Sequence, residues 1–518
     1  MVSTMSIHHA RIWTGCDHLL QSGIRIDGDR VAELLPTGSI PPAGPSLDLG
    51  GKFITPGLID AHMHVLAGGT SMLQVDLSRA DSRDAFEACL EEAHQQLPEN
   101  QWLIAGGWSE NRWDPPVLPD HSWLRCCGTR PVVCWRMDLH AAVVNNAVLE
   151  VLDLPDDSTV EKAGGRIGRD ADGQPSGLLQ EAAAWQYLIP RIPPPDSKDL
   201  ARGLALAHRH CAGLGLTSIR TLEYRRDLEL LIDQSNHPDA LRTSLAILDR
   251  ELPLDLGWLH AAPRSNHFRI TGAKSFVDGT LGSRSARLLQ PYADNQQNHG
   301  LFTEHALDGT LSEWVEQVRA ADLTPVLHAI GDAAVMTALA ATVGGEATIE
   351  HAEVVTETVL DSIAARPGCR LSMQPLHRAD DAVFAHRALG VDRARYLSPF
   401  RDLRTRGARL AFGSDWPVVS CDPVAGMEAA ILGRDSNGQD FHVDQCLDPE
   451  ETLRAYTTDA AEQAGLPEVG RLRRGAFADF VVWSEDPREA DWVHRPPRIE
   501  ATFIGGRQVA GKPLGGKR

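Results

Sequence analysis

The sequence predicts an α/β protein: a (β/α)8 barrel of the TIM type, with a small composite β-sandwich domain drawn from both chain ends and a large insertion after the first barrel strand. Three observations carry that prediction. Eight short apolar, β-prone runs follow one another through the middle of the chain, most of them trailed by segments with helical apolar spacing, the pattern of a closed parallel sheet. Strand–turn–strand patterns stand at both ends of the chain. One gap, between the first and second runs, is far too long for a single crossover helix.

Taken in order, "IHHARIWTG", "GIRIDGDRVAELLP" and "PSLDLGGKFITPG" read as a small antiparallel sheet, with Asp27-Gly28 as a hairpin signal. The tail repeats the pattern in "GRLRRGAFADFVVWSEDP" and "ATFIGGRQVAGK", with Gly505-Gly506 at the turn. Residues 1–56 and 466–518 are therefore assigned to the composite domain and 57–465 to the barrel. The eight runs are 53–64, 216–222, 242–248, 268–279, 324–331, 347–353, 370–377 and 409–418. Most start about 23 to 40 residues apart, the length of a strand, a helix and two loops. Helical spacing follows in stretches such as "EWVEQVRAA" and "DAAVMTALAATV". The insertion, about 66–197, holds Trp102, Trp108, Trp113, Trp123, Trp135 and Trp185, half of the 12 tryptophans. Following the strand that brings the histidine pair, it is expected to cover the site. Its indoles either line an apolar pocket or form the insertion's own core, and the second reading carries more weight.

Bulk properties narrow the function. A hydrophobic content of 42% in 518 residues permits a sizeable core and excludes wholesale disorder. The net charge of −20 argues against a nucleic-acid or anionic-membrane partner. Nine cysteines, odd in number and without a CxxC pair, read as reduced thiols, Cys126-Cys127 included. No basic-then-apolar leader and no apolar run of ~20 residues is present, so a soluble, cytoplasmic protein with a small-molecule substrate is expected, and a homo-oligomer stays open.

The chemistry starts at "GLIDAHMHVLAGG". In a strand, His62 and His64 point the same way, and at the C-terminal end of a barrel strand they face the mouth where active sites of this fold lie. Imidazole nitrogens at that spacing can share one divalent ion, although an HxH pair alone is weak. His8-His9 reads as surface. His328 in "PVLHAIGD", His351 in "TIEHAE" and Asp415 in "FGSDWP" stand near the C-terminal ends of three other runs. Singly these also read as a core histidine, a partner of Glu350 or Glu353, and a cap; jointly those readings are improbable. Lys274, inside the fourth run, is costly as a buried cation. Either it is a neutral amine able to take up carbon dioxide as a carbamate, or it pairs with Asp278 or another carboxylate.

"ITPGLIDAHMH", "KSFVDGTLGSRSA", "LHAIGD", "IEHAE", "GSDWPV" and "GRLRRGAFADFVVW" together resemble the amidohydrolase superfamily, and more narrowly its amidohydrolase-3 branch, which includes N-substituted formamide deformylases. "GQPSGLLQEAAAW" and "CWRMDLHAAVVNNAVL" resemble parts of that branch's insertion, with Asp138-Leu139-His140 where Asp-Gly-His is usual. The resemblance spans essentially the whole chain. It implies one or two divalent ions, most commonly Zn2+. His62 and His64, with Asp415 nearby, would bind one; His328 and His351 would bind the second, or share the work of a mononuclear site. Lys274 stands where a bridging carboxylated lysine occurs in many members, and Glu181 is the alternative carboxylate.

With that ligand set, hydroxide generated at the metal attacks a carbonyl or amidine carbon, and Asp415 acts as general base, then acid. His140, Arg284 and His377 are candidates to hold the substrate or the oxyanion. For Arg284, in the loop "DGTLGSRSA", a turn whose arginine pairs with a surface acid is the competing reading. The expected activity is hydrolysis of a non-peptide C–N bond: an N-acyl, N-formyl or cyclic amide. The alternatives are deamination of an amino-heterocycle, or a non-catalytic barrel scaffold, which the full set of ligands counts against.

Overall fold

The structure is a computed structural model and describes residues 4–514 apart from residues 16–21, 37–38, 40–43, 111–112, 116, 138–140, 163–164, 182 and 367. The chain separates into two compact units, residues 1–65 with 208–518, and residues 66–207.

The first unit opens with strands β1 (Thr4–His8), β2 (Arg11–Ile12), β3 (Gly23–Asp27), β4 (Arg30–Leu35), β5 (Ser46–Asp48) and β6 (Phe53–Pro56). The β3–β4 hairpin turns where Asp27-Gly28 signalled it, with Asp27 opposite Arg30 and Gly28 at φ 64°, a conformation glycine adopts without penalty. The single run read at 53–64 is in fact two strands. β6 ends at Pro56, and β7 (Leu58–Met63) begins in a different sheet after the lone Gly57. A Cβ at Gly57 would sit 2.1 Å from Thr217 Oγ1, so only glycine lets the chain cross between sheets so close to its neighbour.

The second unit carries β8 (Val75–Asp76), β9 (Leu103–Trp108), β10 (Val132–Arg136), β11 (Ala141–Val144), β12 (Gly165–Arg169) and β13 (Pro175–Glu181) in one mixed sheet. Trp108, Trp113 and Trp123 are buried with Phe86 and Leu90 on one apolar cluster. Trp135 is buried in another, and Trp102 packs against that cluster. The indole N–H groups of Trp108 and Trp113 donate to the carbonyls of Cys134 (2.8 Å) and Ala80 (2.7 Å), which satisfies polar atoms that burial would otherwise penalise. These tryptophans are the unit's own core. Trp185 is exposed.

Back in the first unit, β14 (Leu216–Glu223), β15 (Arg242–Ile247), β16 (Phe268–Phe276), β17 (Thr324–Ala329), β18 (Thr348–His351), β19 (Arg370–Met373) and β20 (Arg409–Phe412) continue from β7 as an eight-stranded parallel sheet. Each strand pairs in parallel with the next, with register shifts in the β7–β14 and β15–β16 pairs, and the sheet curls into a TIM-like barrel. Strands buried on both faces explain why each read as an apolar run. Beside β20, the seam with β7 is joined by a carboxylate. Asp60 Oδ1 accepts from the backbone N–H of His62 and of Ser414, each at 3.0 Å, while the N–H groups of Ser414 (3.1 Å) and Asp415 (2.7 Å) donate to the His62 carbonyl. Residues that close the barrel are thus next in sequence to residues at its mouth.

The chain ends in β21 (Phe480–Trp483), β22 (Ile499–Ile504) and β23 (Arg507–Gly511). β21 pairs with β6, residue 480 opposite 56 and 483 opposite 53, so one five-stranded sheet draws on both ends of the chain. The β22–β23 turn falls on Gly505 and Gly506, at φ 55° and 76°. Among the described residues, no helix is long and apolar enough to cross a membrane.

Candidate metal centre

Five side chains from four strand ends meet at the barrel mouth. His62, from β7, is 1% exposed; its Nδ1 donates to Glu350 Oε2 at 2.6 Å, and its Nε2 lies 3.2 Å from Asp415 Oδ1. His64 Nδ1 donates to the Leu222 carbonyl at 3.2 Å, and its Nε2 lies 3.3 Å from the same Asp415 oxygen. His351 places its ring 5.0 Å from that of His62, and His62, His351 and Asp415 bring one donor atom each within 4.8 Å of one another. His377, just past β19, lies with Nε2 3.8 Å from Asp415 Oδ2.

Backbone strain helps to aim these groups. A regular strand sends Glu350 and His351 to opposite faces. His351 and Ala352 have left-handed backbones, φ 72° and 46°, which break the alternation so that both side chains approach His62. Asp415 is left-handed too, at φ 59°. Non-glycine residues hold such conformations at a cost of about 1–3 kcal/mol each, and they concentrate at functional sites.

The hydrogen bonds fix the tautomers. A carbonyl and a carboxylate can only accept, so both Nδ1 atoms carry the proton and both Nε2 atoms present lone pairs. Two lone pairs and a carboxylate oxygen therefore face one another at 3.2 and 3.3 Å. Such a cluster of acceptors is repulsive unless a cation or protons sit among them. Ligands of a tetrahedral ion at ~2.0–2.2 Å stand roughly 3.4 Å apart, close to what is found. The donor set fits a divalent metal ion. Burial opposes charge on His64, yet Asp415 outweighs it and draws that histidine's pKa upward.

Behind His62 runs a buried ionic chain that the sequence reading missed. Glu350 Oε1 lies 3.6 Å from Arg220 Nη1, with both side chains at most 1% exposed. Burial alone would raise the Glu350 pKa; His62, Lys274 and Arg220 overcome it and hold the carboxyl at about 2. The signal was available, because a charged residue inside an all-buried strand is as costly at Arg220 as at Lys274.

The remaining predicted residues are placed as follows. Lys274 is buried, and desolvation lowers its amine to about 8 against the pull of Glu350 and Asp415. Of the carboxylates that could pair with it, Asp278 accepts from the backbone N–H groups of Ile330, Gly331 and Arg287, whereas Glu350 and Asp415 act on the amine. His328 has its ring 4.5 Å from that of His351, but its Nε2 turns to the Gly279 carbonyl at 3.1 Å. Burial, with Lys274 nearby, pushes His328 down to about 3 and keeps it neutral. Arg284 sits in a turn after β16. Its guanidinium is held by Asp294 (2.7 Å) and the carbonyls of Leu281 and Gly282, the contacts of the turn reading. His351 does not pair with Glu350 or Glu353, which instead engage His62 and His377. His140 and the Glu181 side chain lie outside the described residues.

The sequence profile of the amidohydrolase family matches residues 46–510. The chain belongs to the amidohydrolase family. This amidohydrolase is 31% identical over 490 residues to YtcJ of Bacillus subtilis (strain 168), which carries an amidohydrolase name, covering 90% of this chain and 91% of that one. It is 24% identical over 519 residues to an N-substituted formamide deformylase of Arthrobacter pascens, covering 93% and 94%. A solved metal-dependent hydrolase of Pyrococcus horikoshii OT3 shares the fold, with a TM-score of 0.79 at 24% identity over 95% of this chain and 100% of that one. Family membership makes the protein a hydrolase acting on C–N bonds.

Proposed function

We propose that this amidohydrolase cleaves a non-peptide amide, of the N-acyl or N-formyl type, with Zn2+ held by His62, His64 and Asp415 and with His351 facing the same point. The observation that carries the reading is the convergence of the two Nε2 lone pairs on Asp415 Oδ1. The similarity to the Arthrobacter pascens deformylase supports the substrate class. When bound, such an ion supplies Lewis acidity and lowers the pKa of a water from about 15.7 toward ~7. Asp415 Oδ2, the oxygen turned away from His62 and His64, takes a proton from the attacking water. The water oxygen adds to the carbonyl carbon, the C–N bond breaks, and Asp415 returns the proton to the departing nitrogen, yielding a carboxylic acid and an amine. Glu350 keeps His62 in the tautomer that points Nε2 at the ion. The same reading takes the sheets at the two chain ends as one composite β-sandwich domain, since Ile7, Ile24, Ile54, Phe480 and Phe503 share a single apolar cluster.

The test is a panel of N-formyl and N-acyl amines offered to zinc-loaded protein, with amine release measured. Wild type should turn over at least one member, and Asp415→Asn should lose about 100- to 10,000-fold in kcat. A fully metallated wild type inert to the panel, or an Asp415→Asn variant of equal activity, would overturn the reading; ammonia release with ring retention from amino-heterocycles would replace it with deamination.

A further inference from the structure

The inward-facing residues divide the barrel mouth into two unlike halves. Strands β18, β19 and β20, with β7 across the seam, supply His351, His377, Asp415, His62 and His64 at or just past their ends. The facing half, β14 to β17, is largely apolar. Leu222, Ala246, Leu248 and Val326 form one buried cluster there, and the half-buried rings of Tyr224 and Phe276 pack on it. In β14 the alternation that aims Arg220 inward aims Leu222 the same way, and in β16 Phe276 shares the face of Lys274. This wall adjoins the metal centre. His64 Nδ1 donates to the Leu222 carbonyl at 3.2 Å, and the Phe276 ring lies 5.1 Å from that of His328 and 5.2 Å from Lys274 Nζ. Arg250 covers Phe276 at 5.1 Å, but Glu304 (2.6 Å) and the Leu248 carbonyl (2.9 Å) already hold its guanidinium. Partly open aromatic rings over an apolar floor gain from being covered by hydrocarbon.

We propose that the wall made by Leu222, Tyr224, Leu248 and Phe276 binds the acyl group of the substrate, and that this group is an uncharged hydrocarbon chain rather than the lone hydrogen of a formyl group. This inference rests on the amide-hydrolase reading above and adds which side of the scissile bond is selected. The direction follows from Asp415. Its Oδ2, which returns the proton to the departing nitrogen, lies on the β19 side, 3.8 Å from His377 Nε2. The nitrogen therefore occupies the ligand half. The acyl substituent leaves the carbonyl carbon on the side away from the nitrogen, and that side is β14 to β17, across the barrel from β19 and β20. A hydrocarbon chain there covers Phe276 and Tyr224 and displaces water from them, whereas a formyl hydrogen leaves both rings wet. A chain ending in a carboxylate would enter an apolar cluster whose neighbouring cation is already paired with Glu304, and would lose its hydration without a partner.

The experiment offers metal-loaded, full-length protein one amine carrying in turn a formyl, acetyl, butyryl, hexanoyl or succinyl group, and measures amine release. From acetyl to hexanoyl, kcat/KM should rise about fourfold per methylene. The succinyl amide should fall about tenfold below the butyryl amide. Phe276→Ala and Leu248→Ala should each lower the hexanoyl-to-acetyl ratio of kcat/KM about tenfold. That ratio is taken within one preparation, so partial loss of folded protein cancels from it. A second arm needs no variant: wild-type crystals soaked with hexanoate should place the alkyl tail within ~4.5 Å of Phe276 and Leu248. Faster turnover of the formyl than of the hexanoyl amide, a ratio unchanged by both substitutions, or a tail lying on the His377 side refutes the acyl wall and leaves the hydrolase reading standing. A folded, metallated wild type inert to the whole series removes both.

Discussion

Replacing Glu350 with glutamine separates two roles that one buried carboxylate performs. Its Oε2 accepts from His62 Nδ1 at 2.6 Å, and its Oε1 lies 3.6 Å from Arg220 Nη1, with all three side chains at most 1% exposed. The amide in Glu350→Gln can still accept from His62, but it no longer balances Arg220. None of the three guanidinium nitrogens of Arg220 has a hydrogen-bond partner, so the cation is left buried and unmatched. Breaking one side of such a pair costs about 3–5 kcal/mol of stability. Exchanging a charged acceptor for a neutral one on a ligating histidine costs about 10- to 100-fold in metal affinity. The double variant Arg220→Met, Glu350→Gln removes the unmatched cation. It should recover most of the stability and none of the affinity. Urea unfolding of the metal-free protein and zinc competition against a chelator read the two quantities separately. A Glu350→Gln protein within ~1 kcal/mol of wild type, or a double variant no more stable than the single, would refute the argument.

Three further outcomes follow from the same structure. His208 is 3% exposed, its Nδ1 accepts from the Leu241 N–H at 3.1 Å, and burial, helped by His237 and His267, lowers its pKa from 6.5 to about 3. The unfolded chain therefore binds a proton that the fold does not between those values, so this group subtracts stability as pH falls below ~6.5, up to about 4–5 kcal/mol near pH 3. His208→Asn, which keeps an acceptor but does not titrate, should flatten the denaturation midpoint against pH between 6.5 and 4; an unchanged slope contradicts the assignment. Gly413→Ala would put a Cβ 2.5 Å from the His62 nitrogen and 2.9 Å from Asp60 Oδ1, forcing the β7–β20 seam apart. Loss of about 1–3 kcal/mol together with weaker zinc binding is expected, measured by melting and chelator competition. Trp113→Ala removes a ring packed on Trp108 and Trp123, and should shift unfolding of the 66–207 unit by about 3–5 kcal/mol, followed by fluorescence.

The barrel was legible because parallel strands covered on both faces must be apolar throughout, and all eight runs correspond to its strands. The runs themselves did not convey the change of sheet at Gly57, since apolar residues continue across it and 53–64 was counted as one strand, although the domain boundary was drawn between residues 56 and 57. The histidines and Asp415 stood out because polar residues at strand ends are conspicuous. Glu350 escaped because it sits beside His351 in a strand, where alternation would turn it away, and the left-handed backbone at His351 carries no signature in a non-glycine residue. That Arg284 would pair with an acid was legible as one of two readings, but which acid was not, because Asp294 lies across a turn that no periodicity describes.

The pairing of β6 with β21 also sets an order of events during synthesis. β6 finds its second neighbour only after residues 480–483 have left the ribosome, although β6 itself was made more than 400 residues earlier. Until then β6, the strand just before the histidine-bearing β7, pairs with β2 alone. A nascent chain halted before that point should hold a divalent ion poorly even with His62, His64, His351 and Asp415 already translated.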